Sequence, residues 1–116
     1  MNPSVMFVIT SDPRNDPRPA EAIRIAAGVG VWKKVDVTVY LSGAAALLLS
    51  EDVDGLVDQD NFTRYLPIIH EFGRPIFVQR GAPFLNQIGQ SPVKYQEISE
   101  PELAALSAQK NYLIRF

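Results

Sequence analysis

Three polar strings in this chain, each following an apolar run, carry the residue types that hold a small anion: Ser11, Asp12, Arg14 and Asn15; Ser42 and Gly43; and Gln79, Arg80 and Gly81. A glycine-bearing turn leading into a helix offers free backbone N–H groups, and an arginine adds a planar, permanently charged fork. Brought together, these residues form a candidate ligand-binding site. They also admit a purely structural reading, in which Ser42 caps a helix, Asp12 folds the prolines after it as an Asx turn, and both arginines are solvated. No catalytic set completes itself. His70 is the single histidine; Glu71 is its neighbour, but adjacent helical residues face different ways, and no partner nucleophile is identified. It reads as a surface or interface residue. The five acids of segment 51–60 imitate a calcium loop only in part. With Gly55 as the turn glycine, Asp52 and Asp54 would be ligands, yet Ser50 would take the first position and Asn61 the last. The segment reads as an exposed connection, and neither a metal nor a cofactor is implied.

The cysteine count is zero, which excludes disulfides, thiolate metal sites and thiol chemistry carried by this chain. At 116 residues and 12.9 kDa the chain is sized for one domain. With 47% hydrophobic and 21% charged residues, it has the composition of a folded globular protein. A net charge of −2 leaves no positive excess to neutralise a phosphate backbone, so nucleic acid is not an expected partner. The apolar run 5–9 is too short for a signal core or a membrane span. The expected location is the cytoplasm.

The elements that must position the polar strings follow from periodicity. Run 5–9, rich in β-branched and aromatic residues, predicts a strand buried on both faces. Prolines at 13, 17 and 19 force a structured loop, with Pro19 in the first turn of a helix over 20–34. A second strand over 35–41 precedes an apolar helix over 44–49. Asn61 is the expected cap of a third helix whose stripe is Phe62, Tyr65, Leu66, Ile69 and Phe72, with Pro67 breaking or kinking it. Gly73 and Pro75 end that helix before a strand over 76–78. A fourth strand over 93–98, a helix opened by Ser99, Glu100, Pro101 and Glu102, and a strand over 112–116 complete the chain. Strands alternating with helices imply crossover connections and a largely parallel sheet. The fold class is a three-layer α/β/α sandwich.

Several strings in this order resemble the DsrE/DsrF-like family of small α/β proteins. They are Asp12-Pro13 after the first strand, Val37-Thr38-Val39-Tyr40-Leu41-Ser42-Gly43-Ala44, and the helix ending at Gly73 that leads into Pro75-Ile76-Phe77-Val78. The resemblance implies a five-stranded sheet of order 4-3-2-1-5 and assembly as trimers or hexamers. It also implies kinship with sulfur-relay proteins that pass sulfur as a cysteine persulfide. In those proteins the cysteine lies in the loop after the third strand, here Gln79-Arg80-Gly81-Ala82-Pro83-Phe84, which has none. Neither an amide nor a guanidinium replaces a thiolate as nucleophile at neutral pH. Such families include cysteine-less subunits that serve as structural or binding partners.

Two apolar features suit an oligomer contact. Phe84, Leu85 and Ile88 have the spacing of a greasy helical turn inside a loop, and Trp32 stands near the end of the first helix. The expectation is a non-catalytic, self-associating protein that docks a protein partner. The alternative is a small-anion or metabolite binder, or an enzyme, that uses the loops at the strand ends.

Overall fold

The computed structural model describes residues 2–116. Its elements are β1 (Ser4–Ile9), α1 (Arg18–Gly30), β2 (Asp36–Leu41), a 3-10 segment (Gly43–Leu49), α2 (Asp60–His70), β3 (Ile76–Gln79), a 3-10 turn (Leu85–Gln87), β4 (Tyr95–Ile98), α3 (Glu100–Ala108) and β5 (Tyr112–Arg115). The five strands form one parallel sheet of order β4-β3-β2-β1-β5. From β1 to β4 the chain steps across the sheet in one direction, so right-handed crossovers place α1, α2 and both 3-10 elements on one face. The step from β4 to β5 reverses direction and carries α3 to the other face. The three-layer sandwich is thus a consequence of strand order and handedness.

Alternation along the strands divides the core in two. Val5, Phe7, Ile9, Val37, Val39, Leu41, Ile76 and Val78 point toward α1 and α2. Met6, Val8, Tyr40 and Ile98 point toward α3, where Phe77, Leu103 and Leu106 cover them. Burial on both faces explains why β1 reads as a continuous apolar run.

The helices depart from the sequence expectations for local reasons. The first helix ends at Gly30, short of Lys34, where it packs against Phe72 just past α2: a Cβ on Gly30 would lie 2.4 Å from Cζ of Phe72. Lys33 then turns the chain in a left-handed conformation, with φ of 59°. Segment 43–49 is wound as 3-10 helix and not as α-helix. Asn61 lies inside α2 and does not cap it; its Nδ2 donates to the Ala20 carbonyl at 3.2 Å and ties α2 to α1. Pro67 does not break α2. The ring removes a hydrogen bond to the Thr63 carbonyl, and Thr63 is exposed, so water can take that bond. By contrast, α3 opens as expected: Ser99 Oγ accepts from Glu102 N at 3.3 Å, and the Glu102 carboxylate accepts from Ser99 N at 2.9 Å.

Candidate functional site

The polar strings that follow β1, β2 and β3 meet at the carboxyl end of the sheet, because those strands are adjacent and parallel. Gln79, the last residue of β3, reaches across to β2: its Oε1 accepts from Gly43 N at 2.9 Å and from Ser42 Oγ at 3.3 Å. Ser42 occupies the cap position of the 3-10 segment, yet its hydroxyl makes no capping bond. The capping role expected of Ser42 has passed to Gln79. Gly43 has a φ of 58°, a backbone conformation costly for any residue with a Cβ.

In the loop after β1, Asp12 Oδ1 accepts from Arg14 N at 2.9 Å, which is an Asx turn. The same carboxylate takes Arg14 Nη2 at 2.7 Å and Arg14 Nε at 3.0 Å. On its other side the Arg14 guanidinium lies 4.7 Å from the centre of the Phe84 ring, a cation–π contact joining this loop to the one after β3. The Arg14 hydrogen bond holds the Asp12 carboxyl below the usual aspartate range, and Asp12 in turn raises the Arg14 pKa. Beyond β3, Arg80 Nη2 meets Glu102 Oε1 at 3.2 Å, and Gly81 N donates to Glu97 Oε1 at 3.1 Å. These donors already have acceptors. A small anion that took these particular N–H groups would displace Asp12, Glu97, Glu102 or the Gln79 oxygen, whereas the other N–H groups of Arg80, whose side chain is 63% exposed, have no acceptor among the described residues.

The structure separates the four apolar candidates. Trp32 is 79% exposed, whereas Ile88 is 2% exposed, with Leu85 packed against the same core cluster. The Ile88 carbonyl also accepts from Glu51 N at 2.8 Å. Ile88 therefore faces the protomer's own interior and offers nothing to a partner. Phe84 is half-buried beneath Arg14.

Two features of the surface were not legible as sites in the sequence. Wide depressions open at the amino end of the sheet, the largest about 760 Å³, lined by His70, Arg74, Ser91, Lys94 and Tyr95 among others. Arg74 also borders an adjoining depression with Lys110 and Asp36. Burial and the nearby Arg74 charge lower the Lys110 pKa, against the opposing pull of Asp36. The carboxyl ends of α1, α2 and α3 lie on this side, and of their last turns that of α2 alone carries a basic residue, His70. The second feature is β5, whose Tyr112, Leu113 and Ile114 are 65%, 54% and 41% exposed. Its composition matches a buried strand; only the strand order reveals it as an edge.

In segment 51–60, Asp52 Oδ1 accepts from Asp54 N and Gln59 bridges Asp54 and Gly55, so the acids organise a surface turn. Among the described residues no helix is long and apolar enough to cross a membrane.

No family model matches the chain, and no curated protein does. Among solved structures, the crystal structure of the ychN protein from E. coli superposes with a TM-score of 0.76, at 16% identity, over 100% of both chains. With the strand order observed, this likeness assigns the chain the DsrE/DsrF-like fold.

Proposed function

We propose that this chain is a non-catalytic member of the DsrE/DsrF-like family, a self-associating scaffold or partner-binding subunit that cannot carry a persulfide. One observation carries the reading. The loop where a sulfur carrier of this fold would present its thiol holds no cysteine; there Gln79 accepts from Gly43 N, Gly81 N donates to Glu97, and Arg80 gives an Nη2 N–H to Glu102. Without a sulfhydryl there is no atom to accept sulfane sulfur, and neither an amide nor a guanidinium takes the place of a thiolate nucleophile. The same engagement argues against the rival anion-binding or enzymatic reading of these loops.

The test has two arms. Purified protein incubated with a persulfide donor bearing labelled sulfane sulfur should show no adduct of one sulfur mass, and light scattering should return a multiple of 12.9 kDa. Transfer of the label to this chain overturns the non-catalytic reading. A rise in melting temperature with phosphate, sulfate or thiosulfate that Arg80→Ala abolishes would instead establish the anion-binding alternative.

A further inference from the structure

We propose that two copies of this chain join edge to edge through β5, antiparallel about a two-fold axis passing at Ile114, so that their sheets become one continuous sheet. The inference deepens the self-association in the proposed function and rests on it. It begins from hydrogen bonds left unmade. β5 pairs with β1 on one side and has no neighbour on the other among the described residues. Phe116 N donates to the Val8 carbonyl and Thr10 N donates to the Phe116 carbonyl, both at 2.9 Å. In a parallel ladder alternate residues bond the same neighbour. Tyr112, Ile114 and Phe116 therefore turn their N–H and C=O groups toward β1, while those of Leu113 and Arg115 face outward.

That phase restricts how a second copy can dock. In an antiparallel pair the two residues exchanging hydrogen bonds must both face outward, so a two-fold axis can pass only at Leu113, Ile114 or Arg115. At Arg115 it would set two guanidinium groups directly opposite each other, which is destabilising. At Leu113 it allows a single bonded pair, because Asn111 N is already directed to the Ser4 carbonyl. At Ile114 it forms two bonded pairs, Leu113 with the second copy's Arg115 and the reverse. Ile114 then meets its own counterpart at a non-hydrogen-bonded position, where side chains approach most closely, and Tyr112 lies beside the second copy's Phe116. No like charges oppose each other in this register.

The side chains agree with the backbone. Edge strands of monomers are blunted by charges, prolines or covering segments. β4, at the other edge, has exposed Gln96 and Glu97 beside one exposed aromatic, Tyr95, with exposed Lys94 just before it, whereas β5 presents three exposed apolar residues and one charge. Helical periodicity places half-buried Ile25 and exposed Val29 on the flank of α1 turned away from α2, bordering the same edge. Four-residue strands make a contact at or below the small end of stable interfaces, about 1,200 Å², so the pairing should depend on protein concentration.

The absence of native cysteine makes the register directly readable. Under mild oxidation Ile114→Cys should convert to a disulfide-linked pair, since opposed residues at a non-hydrogen-bonded position lie about 4.5 Å apart at Cα. Leu113→Cys, set opposite Arg115, should not. Leu113→Pro removes an outward N–H that β1 does not use, so it should leave the fold intact by circular dichroism while weakening self-association at least tenfold. Cross-linking at 113 as fast as at 114, a native trimer, or an assembly indifferent to Leu113→Pro would each overturn the β5 pairing. An assembly that Trp32→Glu dissolves and Leu113→Pro does not would overturn it while leaving the proposed function standing. A strictly monomeric native protein would remove self-association altogether.

Discussion

Removing the Gln79 side chain tests whether that residue is a structural cap or a free functional amide. Gln79→Ala takes away the acceptor of two hydrogen bonds, from Gly43 N at 2.9 Å and Ser42 Oγ at 3.3 Å, both partly buried. The hydroxyl can turn to water; the backbone N–H, fixed at the start of the 3-10 segment, has less freedom to do so. Stranding one such donor costs about 1–2 kcal/mol. An unfolding entropy of about 2.1 cal/mol/K per residue over 116 residues makes each kcal/mol worth about 4 °C, so the melting temperature should fall by about 4–8 °C. Gln79→Glu keeps both acceptor positions and should lose less than half as much. Calorimetry with parallel urea titrations measures both. A loss under about 2 °C for the alanine variant, or equal losses for the two variants, would refute the cap and return Gln79 to the pool of candidate ligand-binding groups.

Three further outcomes follow from the geometry. Gly30→Ala should lower stability by about 1–3 kcal/mol through overpacking, less the usual helical gain of about 0.5–1 kcal/mol, because its Cβ would meet the Phe72 ring at 2.4 Å. Combining it with Phe72→Leu should recover part of the loss in a double-mutant denaturation cycle. Asp12 is held below its ordinary value of 3.8 chiefly by the Arg14 hydrogen bond. Its contribution is therefore complete above that value and disappears as pH falls through the lower folded value. Melting curves of the native protein and Asp12→Asn should differ at pH 6, begin to draw together near pH 3.8 and meet only below the lower folded value; a gap that widens in acid would contradict the assignment. Ser99→Ala breaks one arm of the α3 capping box and should cost about 1 kcal/mol, read as a shift in denaturation midpoint.

The sheet was legible because its signals are local and redundant. Residues 5–9 are apolar on every position, and a strand buried on both faces needs nothing less. Ser99, Pro101 and Glu102 encode the start of α3 within one turn. The misreadings came from tertiary contacts that no window contains. Asn61 has the chemistry of a cap, but the Ala20 carbonyl lies within its reach and captures the amide. The first helix has the periodicity to run on, but Phe72, forty-two positions later, closes over Gly30. The site divided in the same way. That Asp12, Ser42 and Gln79 share an end follows from strand order; that Arg80 and Gly81 meet Glu102 and Glu97 there, and that Arg14 lies over Phe84, are tertiary contacts that sequence spacing did not connect.

Where a protein has free hydrogen-bonding capacity indicates what it is built to meet. At the carboxyl end of the sheet, a common place for ligands in open parallel sheets, the backbone N–H groups of Gly43 and Gly81 and part of each guanidinium of Arg14 and Arg80 are directed to acceptors in the same chain. A ligand there would exchange existing bonds for new ones and gain little beyond the difference. At β5 the balance runs the other way. The outward groups of Leu113 and Arg115 have no partner among the described residues, beside exposed Tyr112, Leu113 and Ile114. Pairing there replaces bonds to water with bonds to protein and removes apolar surface from solvent in the same step. The surface with the most to gain from an encounter is therefore the β5 edge, which is the physical ground of the proposed pairing.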